Sequence, residues 1–134
     1  MRAYYMFNPL NPDGVAPPVR KYVHTMTVPS GYMLLSVSGQ VGTLPDGTIP
    51  EGIEAQSEAA WANCLKCLEA HGMGIENVYK VVQYLIDPGH RDAHFAIRDR
   101  YLGDHDITST LLFISALAQP EMLVEVEIFA ASPE

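Results

Sequence analysis

The sequence IEAQSEAAWANCLKCLEAHGMGIENVYKVVQYLI, residues 53–86, predicts a helix followed by a strand. Small or apolar side chains recur in its first half at four-residue spacing, at Ala60, Cys64 and Leu68. This spacing is typical of the buried face of a helix, and we expect that helix over Ile53–Met73. Two glycines then end it, because glycine is the residue that most readily follows a helix. The Val- and Tyr-containing segment Asn77–Ile86 is the predicted strand.

The flanking sequence predicts five more strands and a second helix. Turns that contain Pro and Gly separate the apolar runs, and Pro29-Ser30-Gly31 is expected to join two of the strands as a hairpin. The strands are expected at about Ala3–Phe7, Lys21–Val28, Tyr32–Gly39, Thr108–Leu117 and Met122–Ala130, and the helix over Arg91–Leu102. The pattern therefore predicts an α+β fold.

Composition limits the class of protein. A length of 134 residues favours one domain, over residues 1–134, with a core of its own. The net charge of −8 and the eight Lys and Arg argue against nucleic-acid binding, which needs clustered positive charge. No apolar run approaches the ~20 residues of a membrane span, and the N-terminus does not resemble a secretory signal. Two cysteines do not make a disulfide scaffold, so we expect a cytoplasmic location.

The predicted strand Thr108–Leu117 carries no charge on either face. An antiparallel strand with one solvated face should alternate polar and apolar side chains, and this one does not. Two helices can cover only one side of a sheet of this size. We therefore expect the second face to pack against another subunit of a homo-oligomer. The alternative is a central strand that is covered on both sides within one chain.

Several segments, in their order and spacing, resemble the RidA/YjgF family, also called L-PSP endoribonuclease-like. The resemblance runs from about Tyr22 to Ala131. The matching segments are Val37–Gly42, Ala55-Gln56 with Asn63, Val81–Asp87, Arg98–Tyr101, Ala116–Ala118 and Leu123–Glu127. The resemblance implies a fold like that of bacterial chorismate mutase, with a six-stranded mixed sheet backed by two helices. It also implies a homotrimer with small-molecule clefts between subunits, and hydrolysis of enamines and imines such as 2-aminoacrylate.

The resemblance also implies which residues form the site. Glu125 matches the family's proton-handling glutamate and is the candidate catalytic residue. Tyr22 matches a tyrosine near the cleft, and Gly39 lies where a backbone N–H can face a ligand. In the family, an arginine near the start of the fifth strand holds the substrate carboxylate, and Ser109 occupies that position here. An asparagine of the second helix corresponds to Phe95.

These two departures weigh against deamination of 2-aminoacrylate, because an arginine fork suits a carboxylate and serine carries no charge. We expect a protein that binds a small metabolite and whose activity, if it has one, is hydrolysis of an enamine- or imine-like intermediate. The alternative is a non-catalytic trimer that binds a ligand or another protein. The presence of Glu125 favours an enzyme, and the presence of Ser109 favours a protein that only binds its ligand. The acidic charge disfavours a ribonuclease.

No cofactor and no metal site is predicted. Cys64, Cys67 and His71 share a helix face, but a structural zinc site needs a fourth ligand, and none is evident. Core packing of the cysteines and a helix-end position for His71 are the favoured interpretation. His90 and His94 lack the Glu of the H-E-x-x-H motif, so we expect them to be surface histidines.

Overall fold

The computed structural model describes residues 7–134. The strands are β1 (Asn8–Leu10), β2 (Thr25–Thr27), β3 (Tyr32–Val41), β4 (Val78–Leu85), β5 (Thr108–Phe113) and β6 (Val124–Pro133), and the helices are α1 (Ile53–Glu69) and α2 (Arg91–Leu102). Short 3₁₀ turns, Ile75–Asn77 and Pro88–His90, precede β4 and α2. The predicted α+β class is thus confirmed. Of the first predicted strand, Ala3–Phe7, only Phe7 lies within the described residues.

Six strands are present in the described part of the chain, but they form two separate sheets. The larger sheet has the order β3-β6-β4-β5, and β1 pairs with β2 in a small antiparallel ribbon. Within the larger sheet only β4 and β5 are parallel, so it is mixed as expected. The helix α2 makes the crossover that a parallel pair requires.

The hairpin predicted at Pro29-Ser30-Gly31 is wrong within residues 7–134. Strand β3 pairs along its length with β6, and β2 pairs with β1. The segment before β2 is instead drawn towards the beginning of β5, where the Val23 amide donates to the Ile107 carbonyl at 2.8 Å. Most of the predicted strand Lys21–Val28 therefore has no ladder partner and remains irregular.

Both helices cover the same face of the larger sheet. Strand β6 shows the alternation most clearly, because Val124, Val126 and Ile128 are fully buried while Glu125 and Glu127 are only half-buried. The buried set packs with Trp61, Cys64 and Leu68 of α1 and with side chains of α2. The core therefore lies between the sheet and the helices, and the charged side chains of β6 point to the other side.

The opposite, open face of the sheet retains large apolar side chains. Leu34 on β3 is 65% exposed and Leu112 on β5 is 47% exposed. Strand β5 is an edge strand, because it ends the strand order and pairs only with β4 within residues 7–134. The alternative of a central strand covered on both sides is therefore wrong for this part of the chain. None of the helices in residues 7–134 could cross a membrane.

Candidate functional site

Gly39 and Glu125 meet at one end of the open face. Gly39 lies where the register of β3 against β6 shifts between Val37 and Gln40. The Glu125 side chain folds over its Cα, so closely that a Cβ on Gly39 would lie 2.7 Å from the carboxyl carbon of Glu125. A Cβ at position 39 would therefore displace this carboxyl group from the place that it occupies here.

The surroundings of Gly39 are held in place by α1. The Asn63 side-chain amide donates to the carbonyls of Val41, at 3.2 Å, and Thr43, at 2.9 Å, so two hydrogen bonds link the end of β3 to the helix. Gly42 packs closely against the backbone of α1, because a Cβ there would lie 2.6 Å from the Gln56 carbonyl oxygen. The Gln56 side chain in turn accepts from the Leu123 amide at 2.8 Å, two residues before Glu125. These family-like residues thus position the backbone on both sides of the carboxylate.

Glu125 has polar neighbours on the open face. Tyr84 of β4 is its register partner, and the Tyr84 hydroxyl donates to Glu127 Oε1 at 3.4 Å. Partial burial, together with the carboxylates of Glu127 and Glu125, raises the pKa of Tyr84. Tyr84 therefore stays a neutral hydrogen-bond donor beside the two carboxylates.

A second cluster of predicted site residues lies at the beginning of β5, away from Gly39 and Glu125. An open groove of about 510 Å³ is formed between the segment Tyr22–Met26 and the beginning of β5. Tyr22 and Ser109 both line it, as does Lys80 of β4. Two predicted site residues are thus brought together here, and Lys80 is a lining cation that the sequence analysis did not single out.

Two side-chain donors contact the Ser109 hydroxyl. Gln83 Nε2 lies 2.9 Å from Ser109 Oγ, and Arg98 NH1 lies 3.2 Å from it. The Arg98 side chain is 1% exposed and is also bound by Asp99 at 2.9 Å. Burial lowers the pKa of the Arg98 guanidinium, while Asp99 opposes this effect. An arginine from α2 thus contacts the residue that the resemblance places at the position of the family's arginine.

Phe95 supports this arginine and is not among the side chains that line the groove. Its ring is almost fully buried and has the guanidinium of Arg98 at 4.5 Å and that of Arg20 at 4.4 Å from its centroid. Arg20 in addition pairs with Asp92 at 3.3 Å on the surface. Phe95 therefore acts as a platform for two cations, by cation–π attraction.

Sequence reasoning missed the contribution of Arg98 to this cluster, although the sequence contained a signal. Arg98 follows His94 by four residues and precedes Leu102 by four, and both of these are buried. An arginine on the buried face of an otherwise apolar helix needs a polar partner inside the protein. The predicted surface position of His94 is wrong for the same reason, because His94 lies on that face and is fully buried.

The two clusters are separate within one chain. Val81 of β4 is in register with Ser109, whereas Tyr84 is in register with Glu125. Three residues along the strands and two strands across the sheet correspond to about 14 Å between Ser109 and Glu125. A single small molecule therefore cannot contact both residues in the same protomer.

The cysteines and histidines do not form a metal centre in the part of the chain that the structure describes. No group of three or more His, Cys, Asp or Glu side chains is placed to hold an ion among residues 7–134. Cys64 is buried in the core, and this burial raises the pKa of its thiol to about 12. Such a thiol stays protonated and is a poor metal ligand.

Comparison with known proteins identifies the family. Residues 14–132 match the family described as Endoribonuclease L-PSP. Among solved structures, the Rid-family protein YyfB of Yersinia pestis, whose function is unknown, is 27% identical with a TM-score of 0.82, covering 93% of this chain and 98% of that one. The yeast protein YEO7 is 26% identical with a TM-score of 0.71, covering 94% of this chain and 98% of that one.

More distant likeness extends to the fold alone. RidA of an Antarctic Psychrobacter species is 22% identical with a TM-score of 0.69, covering 92% of this chain and 98% of that chain. No curated protein sequence matches the chain. The family match spans most of the chain and agrees with the resemblance predicted from the sequence. The protein therefore belongs to the RidA/YjgF, or L-PSP endoribonuclease-like, family.

Proposed function

We propose that residues 1–134 form one domain that assembles into a homotrimer and binds a small metabolite in clefts between subunits. Any activity would be hydrolysis of an enamine- or imine-like intermediate, with Glu125 as the group that moves protons. The observation that carries this proposal is the packing of the Glu125 carboxylate over Gly39, which lacks the side chain that would collide with it.

The separation of the two clusters supports an assembly. Ser109 and Glu125 are about 14 Å apart in one protomer by strand spacing, which is too far for one small ligand to contact both. The open face bears exposed Leu34 and Leu112, which a neighbouring copy would cover. A cleft between subunits would then combine the groove of one protomer with the Glu125 region of the next.

The chemistry assigned to Glu125 is acid–base catalysis. An enamine first takes a proton on carbon to become an imine, water then adds to the C=N carbon, and the resulting carbinolamine loses ammonia to leave a ketone. A carboxylate can accept the proton of the attacking water and return it to the departing nitrogen. No oxidant, metal or cofactor is needed for this balance.

The proposal is tested by ammonia release from a panel of enamines and imines generated in solution. We expect at least one member of the panel to be hydrolysed by the wild-type protein, and Glu125→Gln to lower that rate at least about 100-fold. Gly39→Ala should lower it as well, because the added Cβ displaces the carboxylate. Glu127→Gln is the matched control for the loss of one carboxylate on the same face of β6. Equal rates with wild-type protein and Glu125→Gln would contradict the catalytic role.

A non-catalytic trimer is the second candidate, and the uncharged Ser109 favours it. In that case the protein would bind a small molecule without releasing ammonia from any member of the panel. Calorimetric binding without turnover would then distinguish the binder from the enzyme.

A further inference from the structure

We propose that Phe95 is a positioning residue of the groove, because its ring binds the guanidiniums of Arg20 and Arg98 and thereby holds one wall of the groove in place. This wall is formed by residues 20–24, which we call the wall segment. The inference rests on the proposed function, because the wall segment contains Tyr22 and borders the groove that the proposed cleft includes. It gives a role to the side chain that the resemblance places at the position of the family's asparagine.

The wall segment has few backbone contacts with the rest of the domain. Residues 20–24 lie outside the helices and strands, immediately before β2. In the described part of the chain, two hydrogen bonds join their backbone to α2 and to the start of β5. The Val23 amide donates to the Ile107 carbonyl at 2.8 Å, and Arg98 NH2 donates to the Lys21 carbonyl at 3.2 Å. A segment held in this way opens at a lower free-energy cost than the strands of the sheet.

The Phe95 ring adds an attachment through side chains. Phe95 is buried on α2, and the guanidinium carbons of Arg20 and Arg98 lie 4.4 Å and 4.5 Å from its ring centroid. Arg20 is the first residue of the wall segment, and Arg98 is the residue that binds the Lys21 carbonyl. One aromatic ring therefore contacts both of the arginines through which the wall segment is attached to α2.

The ring keeps two like charges close together. Burial and, to a smaller extent, the charge of Arg20 lower the pKa of Arg98, so the two guanidiniums repel each other. The negative face of an aromatic ring attracts both cations. Arg20 also pairs with Asp92 at 3.3 Å, but the Asp92 side chain is 81% exposed, and such a surface ion pair contributes little. Without the ring of Phe95, we therefore expect Arg20 and the wall segment to move away from Arg98.

The position of the wall segment determines the shape of the groove. Its last three residues, from Tyr22 to His24, line one side of the groove, and the beginning of β5 lines the other. A ligand that fills the groove therefore contacts the wall segment. Glu125 belongs to the other cluster, so a loosened wall segment should weaken ligand binding and leave the proton transfer itself unchanged. In kinetic terms, KM should rise while kcat stays constant.

Digestion of the full chain with lysyl endopeptidase, which cleaves after lysine, reports on the wall segment directly. Lys21 lies within the wall segment, whereas the other lysines of the chain, Lys66 and Lys80, lie in α1 and β4. Cleavage after Lys21 alone therefore measures local opening of the wall segment, and simultaneous cleavage after all of the lysines measures unfolding of the whole domain. Mass spectrometry of the fragments distinguishes the two.

Phe95→Leu removes the aromatic face but keeps an apolar side chain, and it should speed cleavage after Lys21 at least about fivefold. Phe95→Tyr keeps the aromatic face and should restore most of the protection. Arg20→Met removes a partner of the ring whose side chain is 40% exposed, so it should act like Phe95→Leu without disturbing the core. Asp92→Asn is the matched control, because it removes the ion pair of Arg20 but not its contact with the ring. It should change the cleavage rate less than about twofold.

The cleavage rates can overturn the inference in three ways. The first is unchanged cleavage after Lys21 in both Phe95→Leu and Arg20→Met. The second is an effect of Asp92→Asn as large as that of Arg20→Met, because the ion pair would then be the attachment. The third is cleavage of Phe95→Leu after all of its lysines at once while Arg20→Met stays protected, because Phe95 would then only stabilise the core.

The kinetic measurement uses a member of the enamine panel that the wild-type protein hydrolyses. Phe95→Leu and Arg20→Met should raise KM about fivefold and leave kcat within about twofold of the wild-type value. An unchanged KM together with faster cleavage after Lys21 would contradict the role in ligand binding. If no member of the panel is hydrolysed, the proposed enzymatic activity fails, and the cleavage rates still decide whether Phe95 holds the wall segment.

Discussion

Ser109 is one of the residues that line the groove, and its hydroxyl is contacted by Gln83 Nε2 at 2.9 Å and by Arg98 NH1 at 3.2 Å. At the position that the resemblance assigns to the family's arginine, the carboxylate of a substrate would meet one hydroxyl in place of an arginine fork. A fork supplies two charge-assisted hydrogen bonds, each worth roughly 1.5–3 kcal/mol, and a hydroxyl supplies one neutral donor. We therefore expect Ser109 to capture a carboxylate only weakly.

The first prediction follows from this weak capture. We expect negligible acceleration of 2-aminoacrylate hydrolysis, because each ~1.4 kcal/mol lost is a factor of ten and the free enamine also decays on its own. The measurement is pyruvate release from serine by a dehydratase, with and without this protein. Robust acceleration at catalytic concentrations would contradict the prediction, and its loss in Arg20→Ala would then identify Arg20 as a substitute clamp.

His94 gives a prediction about pH. Its pKa falls from 6.5 to about 4 on folding, so between these values the unfolded chain binds a proton that the folded chain does not. The free energy of unfolding should therefore decrease as the pH falls from about 6.5 to about 4, by on the order of 3 kcal/mol from this residue. Urea denaturation across this range measures it. His94→Gln should be less stable at neutral pH but should show a shallower slope, and an unchanged slope would refute the assignment.

Cys64 and Cys67 should differ in reactivity. Burial raises the pKa of Cys64 to about 12, whereas Cys67 is half-buried on the next turn of α1. A thiol reagent should therefore label the native protein at Cys67 at most, and Cys67→Ser should abolish that labelling. Rapid labelling of Cys64 in the native protein, or one tightly held zinc ion per chain by elemental analysis, would show that the cysteines are not simply core residues.

At the scale of elements, the sequence patterns located the helices and three of the six strands well. Helix α2 runs over Arg91–Leu102 as predicted, and β4 is one residue shorter at each end than its prediction. Strand β5 ends at Phe113 instead of Leu117, because its partner β4 ends at Leu85. The end of a strand is set by the end of the strand that it pairs with, and the periodicity of a single segment carries no information about that partner.

Helix α1 ends at Glu69, four residues before its predicted end, and Gly72 explains the difference. The Met73 amide bonds to the Leu68 carbonyl and the Gly72 amide to the Glu69 carbonyl, both at 3.0 Å, in a Schellman arrangement with Gly72 at φ 70°. Sequence reasoning identified the glycine as a stop but placed the stop too late. The periodic apolar pattern continues to Met73, which packs back onto the core from beyond the helix.

Gly72→Ala should destabilise the protein by about 1 kcal/mol, because an L side chain is strained in this left-handed conformation. Nothing lies within 4 Å of the added Cβ, so the cost is conformational and not steric. Thermal unfolding measures it. The control is His71→Ala, which changes a neighbouring residue whose backbone is not left-handed. Equal stability of Gly72→Ala and wild-type protein would argue against the Schellman arrangement.

The candidate site shows the same division between what sequence could and could not predict. Tyr22, Ser109, Gly39 and Glu125 were identified through the family resemblance, and two pairs of them do meet in space. The partners of Ser109 could not be found in this way, because Gln83 and Arg98 come from different elements and only the packing of α2 on the sheet brings them together.

For the whole molecule, the open face of the sheet predicts assembly. Light scattering at micromolar concentration should give about three times the chain mass of 14.8 kDa. Leu112→Glu, which places a charge on this face, should shift the protein towards the monomer, because a buried unpaired charge is costly. Val19→Glu is a matched control, since Val19 is 88% exposed and lies outside the strands. If the wild-type protein were entirely monomeric, the proposed cleft between subunits could not exist.

The close packing of Glu125 on Gly39 has a consequence for how this chain can change over generations. A Cβ at position 39 overlaps the carboxylate, so a substitution there displaces the carboxyl group as long as Glu125 remains. Once position 125 has become small, the same substitution meets no carboxylate. The consequence of a change at position 39 therefore depends on whether it comes before or after the loss of Glu125. A lineage that loses the glutamate first can change position 39 without displacing a carboxyl group.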